Sequence, residues 1–230
     1  MPEYSPLLSI FTAAFELIVA AMTLRAAGRQ DVRRLVALIL IFLAGYQIIE
    51  VFVCQSPEDT FWARLAFADV VWLPSLGCAL VARLGAPVAR IWRNVLYGMF
   101  ALSAFWSVWV FVDPQFVTGT VCKTVIAMYI HPTSALEFYG VFYHLGIWAM
   151  IIAGMRVMLR AEDKTDRYHA ADFVLGTVGF VVLALMTEVV FPGSRNATPS
   201  VMCHYGLFLA IMLARLARRE HLVHRDAAPR

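Results

Sequence analysis

GYQIIEVFVCQSPEDTFWARLAFADVVWLPSLG, residues 45–77, decides how the chain is built. Two apolar runs stand back to back, joined by the short polar connection QSPEDTF. Tyr46, Glu50 and Cys54 recur at i, i+4 and i+8, so on a helix they share one face. If both runs cross a membrane, Glu50, Cys54 and Asp69 come to one level near its surface. The stretch therefore reads as the wall of a polar site, and Pro74, about halfway along the second run, frees backbone groups and can kink that helix beside it.

Composition supports the membrane reading. Of the 230 residues 61% are hydrophobic and 15% charged, with a mean hydropathy of +0.71. Soluble domains average about 45–50% apolar and about 25% charged residues, so this composition points to an integral membrane protein. Once the apolar runs are removed only short connections remain, and residues 1–230 read as a single seven-helix transmembrane domain. The first run lacks a basic leader and a small-residue cleavage site, and Glu3 precedes it, so we expect a retained helix rather than a signal peptide.

Seven runs approach spanning length: 7–24, 35–54, 64–82, 95–112, 135–157, 173–191 and 199–214. A helix needs about 20 residues to cross the hydrocarbon. Lipid offers no partner to an unpaired backbone group, so an all-α polytopic fold is expected. The connections after runs one, three and five, together with the C-terminal tail, hold 16 of the 19 Lys and Arg residues; the other side holds Arg64, Lys123 and Arg195. This asymmetry places the N-terminus outside and the C-terminus inside. The net charge of +3 then reports topology and gives no reason to expect nucleic acid as a partner. The basic tail RLARREHLVHR is expected to continue the last helix along the inner surface of the bilayer. The long connection 113–133 has an apolar middle that suggests a segment folded back over the bundle.

Four kinds of side chain carry possible chemistry. Cys54, Cys122 and Cys203 fall at or near the outer face, which allows three pairings in an oxidising compartment. Because a long loop is commonly pinned to a helix end, Cys54 with Cys122 is the favoured disulfide. Glu16, Glu50, Asp69 and Glu188 lie inside apolar runs, where an ionised group costs about 2.5–3.5 kcal/mol or more. Structural hydrogen bonding to a neighbouring helix is the plainer account of each; a ligand in a cavity is the functional one. His131 lies in the long loop, His144 in run five and His204 in run seven, whereas His169, His221 and His224 read as solvated residues on the inner side. Glu188, Cys203 and His204, with Glu50, are ligand types for zinc or copper. However, no CxxC, HxxxH or HExxH spacing is present, and adjacent Cys203 and His204 diverge by about 100° on a helix. We expect no metal and no other cofactor. Aromatic residues cluster in the outer halves, Tyr139 and Tyr143 sharing one helix face; an acid among tyrosines would suit a small cationic or hydrogen-bonding ligand. No lysine occurs in any run, which excludes a retinal Schiff base, and neither GxSxG nor a phosphate loop is present.

The pattern FWARLAFADVVWLPSLGCALVARLG after a helix ending in IIEVFV, with FYHLGIWAMIIAGMRVMLR and YGLFLAIMLARLARREHL further on, resembles the seven-span sensor region of bacterial histidine kinases. A second resemblance is to standalone bacterial seven-span membrane proteins. It rests on Glu50, on Cys54 before Ser56-Pro57, on Cys122, His131 and Tyr139-Gly140, and on a variant of Pro-x-x-x-Cys-x-x-x-Gly at Pro199, Cys203 and Gly206. The second resemblance implies no function; the first implies a multi-pass protein of the bacterial inner membrane, of sensor or receptor type. It would bind a small ligand in an outward-facing pocket of Tyr46, Glu50, Asp69, His131, Tyr139, His144, Glu188 and His204. With no kinase within the chain, signalling would pass to a separate cytoplasmic partner or through a homodimer. The alternative expectation is a membrane-embedded enzyme acting on a lipid or isoprenoid, with Glu50 and Asp69 as acid and base. The helix-two glutamate of the small seven-span membrane terpene cyclases resembles Glu50 here.

Overall fold

The computed structural model describes residues 4–85, 90–132, 135–191 and 197–226. Its elements in chain order are α1 (Leu7–Arg25), α2 (Gln30–Gln55), α3 (Thr60–Val70), α4 (Leu73–Leu84), α5 (Arg90–Val112), β1 (Gly119–Cys122), β2 (Ala127–Ile130), α6 (Ala135–Arg160), α7 (Lys164–Val190) and α8 (Thr198–Asp226). Each of the seven apolar runs is helical, and seven helical segments are long and apolar enough to cross a membrane, α3 and α4 together forming the third. Large apolar side chains such as Phe11, Val108, Leu145, Trp148 and Val189 are exposed on the perimeter, where hydrocarbon rather than water suits them. The core is also apolar: Leu40, Leu80, Leu84, Phe173, Leu213 and Leu216 are fully buried.

α2 is the central element, packing against α1, α3, α4, α8 and both strands. Pro74 divides the third span, as its position in the run predicts. α3 ends at Val70 and α4 begins at Leu73, because proline offers no N–H to the preceding turn and its ring crowds the carbonyl four residues back. A neighbouring helix satisfies the disturbed backbone. Ser103 of α5 donates to the Val71 carbonyl at 2.9 Å and pairs with Ser75 at 2.8 Å, so the break costs no unpaired carbonyl at Val71 in the hydrocarbon.

The long connection does fold back over the bundle, as an antiparallel hairpin that helical periodicity does not reveal. Gly119 pairs with Ile130 and Cys122 with Ala127. It is fixed at several points. Cys54 at the end of α2 and Cys122 on β1 form a disulfide with a Cα–Cα distance of 5.6 Å. Thr120 donates to the Pro57 carbonyl at 2.8 Å, the Ala127 amide donates to Ser200 Oγ at 3.2 Å, and the Ser5 amide donates to the Thr124 carbonyl at 2.8 Å.

At the opposite, basic end the helices run further than their apolar runs: α2 starts at Gln30, α6 reaches Arg160 and α8 reaches Asp226. The tail continues the last helix as expected, but Glu220 within it turns inward rather than lying on the surface. It continues α8 into a buried ion-pair cluster, in which Glu220 has no exposed surface. Glu220 accepts from the Arg29 amide at 2.7 Å and faces Arg29 Nε at 3.2 Å; Arg29 also pairs with Asp166 at 2.7 Å. His169, expected to be solvated, is fully buried 3.5 Å from Glu220. His221 accepts from the Ala27 amide at 2.9 Å. Gly28 makes the turn between α1 and α2 with φ of 134°, and a Cβ there would stand 2.5 Å from Glu220 Cγ. Both the backbone and the contact require glycine.

Candidate functional site

Three elements meet under the hairpin. α3 supplies Phe67, a hub whose ring lies 4.9 Å from Tyr129 and 5.4 Å from both Phe116 and Tyr139, edge to face in each case. The helical spacing of Tyr139 and Tyr143 stacks their rings at 6.3 Å on α6. The phenol of Tyr139 donates to the Phe67 carbonyl at 2.8 Å, locking α6 to α3. Beside this aromatic cluster is a cavity of about 220 Å³ between the hairpin, α3, α6 and the first turns of α8. Its walls are mostly apolar, with the polar groups supplied by Tyr129, His131, Glu137, Tyr139, His144 and Thr198. An apolar hollow with a few convergent polar groups is the usual form of a small-molecule site.

His144 is exposed on α6, and its Nδ1 lies 2.7 Å from the Gly140 carbonyl. A carbonyl only accepts, so Nδ1 carries the proton and Nε2 of the neutral ring is left as an acceptor. Below the cavity, Tyr143, Met202 and Cys203 form its floor. The same three residues, with Pro74, also border a narrow apolar void of about 20 Å³. The floor therefore connects the cavity to the break in the third span.

Glu50 lies on the other side of α8, in a closed polar cluster. Its Oε1 accepts from Tyr4 at 3.3 Å and Ser9 at 3.4 Å and faces His204 Nε2 at 3.8 Å; the hydroxyls of Ser200 and Tyr46 complete its surroundings. His204 Nδ1 is held by the Ser200 carbonyl at 2.7 Å, the same i to i−4 device that orients His144. The N-terminal segment covers this cluster. Burial, followed by the neighbouring Glu50 charge, pushes the Tyr4 phenol up to about 12. Tyr46 and Tyr129 stand between the cluster and the cavity, their hydroxyls 2.8 Å apart; burial raises the Tyr129 phenol well above its ordinary range.

The residues singled out in the sequence thus fall into separate groups. His131, Tyr139 and His144 line the cavity. Glu50 and His204 form the closed cluster, with Tyr46 at its boundary. Asp69 lies against the α2 backbone, its Oδ1 2.8 Å from where a Cβ on Gly45 would stand, so only glycine at 45 leaves room for this carboxyl. Glu188 on α7 accepts from the Thr198 hydroxyl. Neither Glu50 nor Asp69 is among the residues lining the cavity. Glu188, Cys203 and His204 do not converge: among the described residues no three of His, Cys, Asp and Glu are placed to hold a metal ion.

Several members of these groups escape a reading by sequence. Ser9 sits at helical spacing with Thr12 and Glu16, and Ser200 with His204, a signal visible on a helical wheel. Tyr4 and Tyr129 lie outside any helix and have no such periodicity.

Seven helical segments long and apolar enough to span a membrane define a multi-pass membrane protein resident in a lipid bilayer. No protein-family model, curated protein or solved structure matches the chain.

Proposed function

We propose that the chain is a seven-helix receptor of sensor type in the bacterial inner membrane, with its N-terminus and hairpin outside and its C-terminus inside. A small, largely apolar ligand occupies the cavity under the hairpin. Its hydrogen-bonding or cationic group meets Glu137, His131 and the Nε2 of His144. The distribution of Lys and Arg supports the orientation, and the resemblance to the sensor region of histidine kinases supports the role.

One observation carries the reading. α8 lines the cavity with Thr198, Pro199, Met202 and Cys203 at its start and holds Glu220 in the buried ion-pair cluster near its end. A single 29-residue helix therefore joins the two faces of the bundle over about 43 Å at 1.5 Å per residue. A ligand that pushes on Met202 and Cys203 acts on an element whose far end is tied to Arg29 and His169. A cytoplasmic partner or a second copy of the chain would read the outcome at the basic end.

The test is thermal unfolding of the purified protein with a panel of small aromatic amines and apolar alcohols. A compound that raises the melting temperature is expected to bind at least about tenfold more weakly to a Glu137→Gln, His144→Ala double variant. Equal affinity in the variant removes the cavity from the reading. Conversion of the compound or of a lipid extract to a new product replaces the receptor by an enzyme.

A further inference from the structure

A second group of polar side chains lies between α1 and α2, away from the cavity. Thr12, Glu16 and Gln47 each have no exposed surface. The Thr12 hydroxyl, both carboxyl oxygens of Glu16, and the oxygen and nitrogen of the Gln47 amide have no hydrogen-bond partner among the described residues. Native interiors seldom leave even one such group unpaired, and within hydrocarbon there is no solvent to make up the difference.

Their placement follows from contacts higher in the bundle. α1 and α2 are antiparallel neighbours, and Ser9 meets Glu50 at 3.4 Å. Thr12, one turn after Ser9, comes level with Gln47, one turn before Glu50; Glu16 follows Thr12 one turn deeper on the same face. α8 runs alongside α1 with His204 at 3.5 Å from Ser9, which brings Leu207, Ala210 and Ile211 to the depth of Thr12 and Glu16. Among the described residues of α1, α2 and α8 no Lys or Arg lies at that depth. By this register Arg215 of α8 is the nearest cation, about 6 Å deeper along the axis than Glu16 and paired with Asp172 at 3.3 Å, while the nearest on α1 is Arg25, about 14 Å from Glu16. The other titratable groups of the region, Glu50, Asp69, Cys203 and His204, lie towards the hairpin.

We propose that Glu16, Gln47 and Thr12 form a binding site for a monovalent cation of the sodium type. Two carboxylate oxygens, an amide oxygen and a hydroxyl oxygen are hard donors that suit a hard cation rather than a thiolate-seeking metal. Charge decides the valence: one carboxylate is neutralised by one positive charge, whereas a divalent ion would leave an excess charge in hydrocarbon. The site shares no residue with the cavity under the hairpin and stands whether or not that cavity binds a ligand. By joining α1 to α2 at mid-depth, the ion would stabilise the pair of helices that also carries the Glu50 cluster.

The experiment is thermal unfolding of the whole purified protein in sodium chloride and in choline chloride at equal ionic strength. Sodium is expected to raise the melting temperature saturably, by roughly 3 °C or more. Glu16→Gln should abolish the sodium response and melt in choline at or above the wild-type temperature, since a neutral amide replaces an uncompensated carboxylate. Gln47→Leu should weaken the response while leaving the apolar packing of α1 and α2. The proposal is overturned if wild-type protein melts identically in both salts, if Glu16→Gln keeps the full sodium response, or if stability follows pH alone. The last result would mean that the Glu16 carboxyl simply holds a proton. Should Glu16→Gln not yield folded protein, Gln47→Leu decides: a reduced sodium response supports the site and a full one refutes it.

Discussion

At the scale of single residues, Glu50 shows how a buried acid can be structural and still matter. Its carboxyl gathers Tyr4 and Ser9 from the start of the chain and His204 from α8. Glu50→Ala would leave those groups without their shared acceptor and should cost about 2 kcal/mol, with Glu50→Gln costing less because the amide oxygen still accepts. Denaturation of the purified variants checks this, and equal stability of Glu50→Ala and wild type would show that the cluster contributes nothing. Tyr4 makes a pH-dependent prediction. Its folded pKa of about 12 lies above the ordinary phenol value of 10.0. The docked N-terminal segment therefore keeps its full contribution below about pH 10 and loses it as pH rises through about 12. An ultraviolet difference titration of wild type against Tyr4→Phe should show one phenol ionising late. If the missing phenol titrates near pH 10 instead, Tyr4 is not docked on Glu50.

At the scale of elements, the hairpin has too little buried surface of its own to hold its place. β1 and β2 are four residues each, and an isolated two-stranded ribbon is marginal. Its position depends on the Cys54–Cys122 disulfide, the Tyr46–Tyr129 hydroxyl pair and the hydrogen bonds to Ser200, Pro57 and Ser5. The bond closes a segment with a sequence separation of 68, for which the chain-entropy treatment gives about 4 kcal/mol. Cys54→Ser should therefore lower the unfolding temperature sharply and raise amide exchange in 119–130 above that in the helices. Hydrogen exchange by mass spectrometry measures both, and a hairpin as protected in the variant as in the wild type would place its anchoring in the hydrogen bonds of Thr120, Thr124, Tyr129 and Ser200 rather than in the disulfide. The elements also differ in how far the sequence discloses them. Spanning helices are set by hydropathy over about 20 residues, and all seven are visible in the chain, including the break that Pro74 forces. The hairpin is not, because its strands are short and its apolar side chains face a bundle that exists only after the helices assemble. The same limit applies to the site: Glu50, His131, Tyr139, His144 and His204 stand out by type and depth, whereas their division between a cavity and a closed cluster depends on Tyr46 meeting Tyr129, a contact across 83 positions.

At the scale of the whole molecule, the two ends of the bundle are built differently and α8 joins them. The hairpin end is roofed by aromatic packing around Phe67 and encloses a cavity; the basic end is held by charge. Arg29 pairs with Asp166 at 2.7 Å and with Glu220 at 3.2 Å, and Arg215 and Arg219 grip Asp172 at 3.3 and 3.1 Å. These contacts tie the α1–α2 turn, the first turns of α7 and the end of α8 into one unit. Glu220 is its centre, since it accepts from the Arg29 backbone as well as the guanidinium and faces His169. Removing Glu220 leaves the Arg29 amide without its acceptor and the Arg29 guanidinium with Asp166 alone. Glu220→Ala should accordingly destabilise the protein by about 2 kcal/mol, although it lies nearly five turns of α8 beyond Cys203 in the cavity wall. Its effect should also be local: faster amide exchange is expected in the α1–α2 turn and the first turns of α7, with the hairpin unchanged in the absence of ligand. If α8 transmits occupancy, a cavity ligand should slow exchange at the α1–α2 turn in wild type and fail to do so in Glu220→Ala while binding with similar affinity. Slowing in both proteins would show that the signal reaches the basic end by another helix.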